Sequence, residues 1–321
     1  MCTAISYNAA DGHYFGRNLD LEYSYQEQVV VTPRIYPFGF RNGSECREHY
    51  AMIGMAVIAD GYPLYYDATN ERGLSMAGLH FPVNATYLPQ DPAKENIAPF
   101  ELIPWILCQC ASVSDAKSLL MNTSIWEHPF SSAFPLSPLH WMIADENESI
   151  VVEPMAEGLK IHDNPFGVLT NNPPFPYHLH HLADYRSLSA RQTDNKFSAK
   201  DLEPYSNGMG AMGLPGDFSS ASRFVKAAFV KENSVSDGDS ISQFFHILSS
   251  VSMPRGSVVI EDGRCEITRY SSCCDSQRGI YYYTTYTNSR VTGIHMQHHP
   301  LNSDQLIAYP LRCDTDIRWE N

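Results

Sequence analysis

Cys2 places a thiol one residue from the start of the chain. An initiator Met is readily removed when the next residue is small, and Cys qualifies. Removal would leave a thiol and a free α-amino group on one residue, with ordinary pKa values of about 8.5 and about 7.7–8.0. A thiol and a base of matched pKa form a minimal nucleophile–base pair, with no His required. A Cys at position 2 is by itself more often accidental, so its surroundings have to carry the reading.

Those surroundings predict a rigid mount. Residues 2–8 and 13–19 read as strands joined by a turn at Ala10-Asp11-Gly12. The hairpin returns the chain beside its own start and puts Arg17 and Asp20 near the amino terminus. An Asp can orient an amine, and an Arg favours a thiolate. The plain alternative is an ion pair at a strand end.

Further strands are predicted at 28–37 and 50–59, and two more within 62–81 around Asn70-Glu71-Arg72-Gly73. Residues 99–121 read as helical, with Ser114 capping a second helix. The run 140–154 reads as strand, acidic turn, strand. Helical patterning returns near 176–188, 219–232 and 240–250, and 257–296 reads as three or four strands. Strands and helices in alternating groups predict mainly antiparallel sheets with helices layered outside. No linker divides the chain, so residues 2–321 are expected to form one domain. Residues 188–216 are too long for an ordinary connection and read as a functional loop or assembly arm.

Other signals are weak. Gly208-Met-Gly210-Ala-Met-Gly213 matches GxGxxG but follows no buried strand, so no dinucleotide site is expected. His178, His180 and His181 read as solvated surface rather than metal ligands, because i and i+2 do not share a helix face. The eight cysteines form no CxxC pair and read as thiols rather than a zinc or redox site. No Walker loop, HExxH or G-x-S-x-G is present.

Composition narrows the classes. Of 321 residues, 22 are Lys or Arg and 36 are Asp or Glu, giving a net charge of -14. That argues against a nucleic-acid partner, which needs a basic stripe. Aromatics at 12% suit lined pockets or interfaces. No stretch reaches about 18 apolar residues and no basic, apolar leader opens the chain, so neither membrane association nor export is expected. A cytoplasmic location follows as an expectation.

MCTAISY, FGRNLDLEYSY and VTPRIYPF together resemble the choloylglycine hydrolase family of N-terminal nucleophile hydrolases. YPLYYDATNERGLSMAGL, LHWMIADENESIVVEP, GVLTNNPPFPYHLHHL and GLPGDFSSASRFVKAAF extend the resemblance from residue 2 to about 310. The match is closest to bile salt hydrolases, with penicillin V acylases as near relatives. It implies an α+β, four-layer αββα sandwich, a processed Cys2, no cofactor or metal, and a bacterial source. The implied reaction is hydrolysis of the amide joining a bile acid to glycine or taurine. Penicillin V or another N-acyl amide is the alternative substrate, and a catalytically silent binding or assembly protein is the alternative class.

The resemblance also implies roles. Cys2 is nucleophile and base, Asp20 holds its amine, and Arg17 supports the thiolate. Asn171 donates to the oxyanion, and Arg223 completes the polar network. His80 stands where bile salt hydrolases usually carry Asn and penicillin V acylases Tyr, and a neutral His could serve as the second oxyanion donor. Leu19, Tyr25, Ala59, Phe130 and Phe134 are the implied pocket residues, Ala59 widening it. Relatives often assemble as tetramers, so a homotetramer is expected.

Overall fold

The computed structural model describes residues 1–321. β1 (Cys2–Ala9) and β2 (Gly12–Leu21) form the predicted hairpin, with Cys2 opposite Leu19 and Ala4 opposite Arg17. β3 (Gln28–Thr32) is followed by a two-residue pair, β4 (Phe38–Gly39) and β5 (Glu45–Cys46). Next come β6 (Met52–Ala59), β7 (Tyr62–Asn70), β8 (Ser75–His80) and the short β9 (Glu95–Ile97).

Helices α1 (Leu102–Gln109) and α2 (Val113–Met121) lead to β10 (Thr123–Ile125), which pairs with β9. The cap of α2 is Ser112, not Ser114: its Oγ accepts the Asp115 N–H at 3.1 Å. β11 (Leu139–Ala144), β12 (Ser149–Met155), β13 (Gly158–Asp163) and β14 (Val168–Leu169) precede α3 (Phe175–Leu182), α4 (Ser220–Glu232) and α5 (Ser240–Ser249). β15 (Ile267–Asp275), β16 (Ile280–Thr285), β17 (Thr292–His295) and β18 (Ile307–Pro310) close the chain. Residues 257–266 hold only an isolated bridge, between Val259 and Cys265, while β13 and β18 are edge strands the residue pattern did not reveal.

Two antiparallel sheets result. One has the order β14-β1-β2-β15-β16-β17, the other β13-β12-β11-β8-β7-β6-β3-β18. One apolar core joins inner-face residues such as Leu19, Val29, Met55 and Leu79 and extends to Phe224 and Phe244 of α4 and α5. A second core packs α1 and α2 on the outer face of the larger sheet, around Trp141, Ile143 and Val152. The layers are therefore helix, sheet, sheet, helix, as expected. Period-two alternation drives this, since each sheet must bury both faces once helices cover its outside.

Two bulges matter for the site. In β7, Met55 faces Asp67 and Ala56 faces Tyr65, leaving Tyr66 as the extra residue. In β15, Asp20 faces Thr268 and Leu19 faces Tyr270, leaving Arg269 unpaired in the ladder. A bulge frees backbone groups and re-aims side chains beside it. Close approach of β2 and β15 also requires Gly16, where a Cβ would lie 2.0 Å from the Ser272 carbonyl oxygen.

Residues 188–216 carry only one 3-10 turn, at Met209–Ala211. The GxGxxG run is no strand–turn–helix. Gly208 has a φ of 83°, and Gly210 packs on the carbonyls of Ser189 and Arg191. No helix is long and apolar enough to cross a membrane.

Candidate active site

Cys2 is 3% exposed at the start of β1, with Met1 still attached. Directly opposed residues of an antiparallel pair share a face, and faces alternate along each strand. Cys2, Ala4, Arg17 and Leu19 therefore face the second sheet, while Thr3, Asn18 and Asp20 face the α4–α5 layer. The hairpin separates Arg17 and Asp20: Arg17 lies on the thiol side of β2, Asp20 on the face behind it.

Arg17 is fully buried. Its Nη1 donates to the Tyr66 carbonyl at 3.0 Å and to the Gly78 carbonyl at 2.5 Å. The first acceptor exists because the bulge leaves Tyr66 outside the ladder. The second is reachable because Gly78 has no side chain where a Cβ would press on Trp141 at 3.1 Å. Burial alone would lower the guanidinium's pKa, but Cys2, Tyr270 and Asp67 outweigh it and raise it. Asp67 beneath accepts the Tyr270 hydroxyl at 3.0 Å and the Tyr281 hydroxyl at 2.7 Å. A buried positive charge beside the thiol is thus kept, above an Asp67 carboxyl whose pKa burial raises against the pull of Arg17 and the two hydroxyls.

On the other face, Asp20 Oδ1 accepts the Thr268 hydroxyl at 2.6 Å, and Asp20 Oδ2 is buried without a partner. Burial raises the pKa of this carboxyl, against the pull of Arg223 and the terminal ammonium. The backbone of Asp20 brackets Met1: its N–H donates to the Met1 carbonyl at 3.0 Å, and its carbonyl accepts the Met1 ammonium at 2.9 Å. The ammonium also contacts the Glu266 carboxylate.

Asn171 and Arg223 close the site. The Cys2 N–H donates to Asn171 Oδ1 at 2.9 Å. Arg223, on the second turn of α4, donates through Nη1 to the Cys2 carbonyl at 2.5 Å and to Thr3 Oγ1 at 2.6 Å, and through Nη2 to Asn171 Oδ1 at 2.8 Å. Asn171 sits on a turn fixed by Ser220 at the first position of α4, whose Oγ accepts the Asn171 N–H at 2.8 Å. Asn171 Nδ2 donates one proton to the His80 carbonyl at 2.7 Å, leaving its second N–H available to a developing oxyanion.

The His80 position therefore meets Asn171 through its backbone. Its ring is exposed at the end of β8 and makes no hydrogen bond to the other site residues. The ring is nonetheless crowded enough by protein that desolvation first, and then the terminal ammonium, lowers its pKa.

An apolar pocket adjoins these groups. Its floor includes Tyr66 and Gly78, the residues whose carbonyls hold Arg17, and Tyr25, Phe130 and Phe134 line its wall. Phe130 and Phe134 meet edge to face at 6.1 Å, and Tyr25 lies 6.0 Å from Phe134. Leu19 and Ala59 are not among the lining residues. Leu19 is 2% exposed in the core between sheets, and Ala59 lies at the β6–β7 turn, past Val57 on the same strand face. Val57, Leu64, Phe100, Leu136 and Leu139 line the pocket without having been singled out. Val57, Leu64 and Leu139 show only strand alternation, which cannot separate a pocket wall from a core, while Phe100 lies on the 3-10 turn Pro99–Glu101 and Leu136 in a loop, where a single apolar residue carries no such signal.

His178 also departs from expectation. It is 1% exposed, stacks on Phe224 with ring centroids 4.8 Å apart, and donates Nε2–H to the Asn171 carbonyl at 2.9 Å. Desolvation lowers its pKa to about 4, so it is neutral. No group of three His, Cys, Asp or Glu side chains is arranged to hold a metal ion.

Comparison with known proteins fits this geometry. The model of the linear amide C–N hydrolases, choloylglycine hydrolase family, matches residues 2–309. A bile salt hydrolase/transferase of Lactiplantibacillus plantarum is 52% identical over 318 residues, covering 98% of each chain. The crystal structure of the C2A mutant of the conjugated bile acid hydrolase from Clostridium perfringens superposes with a TM-score of 0.94 at 38% identity, over 100% of both chains. Penicillin V acylase from Agrobacterium tumefaciens shares the fold, with a TM-score of 0.76 at 19% identity over 96% of this chain and 90% of its own.

Proposed function

The chain belongs to the choloylglycine hydrolase family, and on that premise we propose that it hydrolyses the amide bond joining a bile acid to glycine or taurine. The single observation that carries the reading is the convergence on Cys2 of Arg17, Asn171 and Arg223, beside a pocket walled by aromatic rings.

Met1 is removed first. The new α-amine of Cys2 keeps Asn171 Oδ1 as an acceptor and gains the unpartnered Asp20 Oδ2 behind it. The amine takes the thiol proton, and Arg17 stabilises the thiolate. Sulfur adds to the amide carbon, and the free N–H of Asn171 donates to the oxyanion, an effect typically worth about 3–4 kcal/mol. The protonated amine gives its proton to the leaving nitrogen as the C–N bond breaks, releasing glycine or taurine. Water then attacks the thioester, giving one proton to the amine, and as the C–S bond breaks the amine returns that proton to sulfur and the free bile acid forms. The steroid body suits the Tyr25–Phe130–Phe134 wall, where burial of apolar area drives binding.

We propose further that residues 2–321 act as one catalytic unit in the bacterial cytoplasm and assemble as a homotetramer through 188–216. In support, Phe197 and Tyr205 of that arm are 89% and 82% exposed. A sedimentation profile at micromolar concentration should show the tetramer, and a monomer would refute it.

Activity is tested by product analysis on a panel of glycine- and taurine-conjugated bile salts and penicillin V. Intact mass should show loss of one Met. Cys2→Ser should fold yet lose at least about a thousandfold in turnover. Retained Met1, or unaltered turnover in Cys2→Ser, would refute the mechanism.

A further inference from the structure

A buried ion pair stands behind the turn that carries Asn171. His140 of β11 and Glu153 of β12 are both 0% exposed. His140 Nε2 lies 3.0 Å from the Thr170 carbonyl, an oxygen that can only accept, so Nε2 carries a proton. His140 Nδ1 lies 3.2 Å from Glu153 Oε1, which also accepts the Phe175 N–H at 2.9 Å. A bare Nδ1 lone pair facing a carboxylate would be repulsive. The two groups therefore share one proton beyond that on Nε2, and the geometry is that of an imidazolium on a carboxylate.

The other groups facing the pair agree with this. His162 Nε2 approaches Glu153 Oε2 at 3.5 Å, and a charge on His140 adds to desolvation in lowering the pKa of His178 on α3 and of His80 on β8. Burial pushes the Glu153 carboxyl up, but the hydrogen bond with His140, the nearby His162 ring and the Phe175 N–H bring it to about 2, with Oε2 left without a hydrogen-bond partner. Phe81 stacks flat on the His140 ring, with centroids 4.2 Å apart and planes within 4°.

The pair grips both ends of one segment: Thr170 through His140, Phe175 through Glu153. Between them lies Asn171, whose carbonyl is held by His178 and whose amide faces the site. We infer that His140 and Glu153 are positioning residues that fix the Thr170–Phe175 turn so that the free N–H of Asn171 points at the oxyanion. The inference rests on the catalytic reading of Asn171 given above. Neither residue touches substrate. Their contribution is to the transition state and not to binding, because the steroid wall lies elsewhere.

The test is full kinetics on H140F, which keeps the ring stack and removes both donors, and on E153Q, which keeps an acceptor for Phe175 and removes the charge. The expected result for H140F is a fall in kcat of roughly tenfold to a hundredfold, somewhat less than complete loss of an oxyanion donor. KM should stay within about threefold, and alkylation of Cys2 by iodoacetamide, which forms no oxyanion, should stay within about twofold of the parent rate. H140Q, able to keep one donor to Thr170, should fall between.

N171A distinguishes the failures. If N171A loses turnover but H140F and E153Q keep parental kcat, the positioning role is overturned and the site reading stands. If N171A also keeps parental kcat, the oxyanion assignment itself falls. A parallel loss of alkylation and kcat in H140F would mean general collapse of the site, and overturns the inference too. Should H140F not fold, H140Q and E153Q are judged by the same criteria.

Discussion

Arg223 donates to the carbonyl of Cys2 at 2.5 Å from a position 221 residues away in the chain. The same guanidinium reaches Asn171 Oδ1 at 2.8 Å, so one planar cation ties Cys2 to Asn171, the proposed oxyanion donor. Arg223→Lys keeps the charge but loses the fork that permits both contacts. We expect kcat to fall at least about a hundredfold in Arg223→Lys. Arg223→Met should also lower the melting temperature, since it leaves buried acceptors unpaired. Steady-state kinetics and thermal melts check both.

Asp20 should set the acid limb of the pH profile. With Met1 attached, burial lowers the terminal ammonium's pKa, while Cys2 and Asp20 act upward. In the mature chain the carboxylate would likewise favour the charged amine. Asp20→Asn preserves an acceptor for Thr268 and removes the charge. The amine pKa should therefore fall, moving the acid limb of kcat/KM to lower pH as the overall rate drops. A pH–rate profile with an unmoved acid limb would contradict this.

The aromatic wall should act on binding. Phe130→Ala and Phe134→Ala each remove a ring from the pocket lining. Each should cost about 1–3 kcal/mol of apolar contact, raising KM for conjugated bile salts about fivefold to a hundredfold with kcat little changed. Leu19→Ala should instead lower stability, by about 2–5 kcal/mol, because that side chain fills core between the sheets. Denaturant titration separates these outcomes.

Acid should unfold the protein through two buried histidines. His13 accepts and donates between the hydroxyls of Ser6 and Ser276, each at 2.8 Å. Desolvation lowers His13 and His178 to about 4 from 6.5. A depressed pKa means the unfolded chain binds the proton more tightly. The stabilisation is complete above pH 6.5 and is lost as pH falls towards 4, by at most about 3 kcal/mol per residue. Glu153, held at about 2 by His140 and His162 against its own desolvation, extends the loss from pH 4.5 towards 2. Melting temperatures in His13→Gln should vary less steeply between pH 6.5 and 4.

The hairpin and the strand groups were legible because period-two alternation and turn residues act locally, whereas the four-layer sandwich followed from the family resemblance. Cys2, Arg17 and Asp20 could be placed together because they lie on one hairpin. His140 and Glu153 were not legible as a pair: each reads as one more inward position of an ordinary strand, and their partnership depends on the backbone of a turn beyond both. His178 misled for a related reason. Composition marks a His-rich helix as polar, yet packing on α4 buries one ring of the three.

The sequence by itself determined the chemistry available: a thiol one Met away from a free amine, with an Arg and an Asp folded back beside it. Only the tertiary structure decided how that chemistry is arranged. It put Arg17 and Asp20 on opposite faces of one strand, brought Asn171 and Arg223 in from distant segments, and set the His80 carbonyl against the Asn171 amide. The physical reason is that residue types fix which atoms can ionise or donate. Which backbone oxygens are left free to receive them depends on bulges, turns and sheet packing that no short stretch of chain encodes.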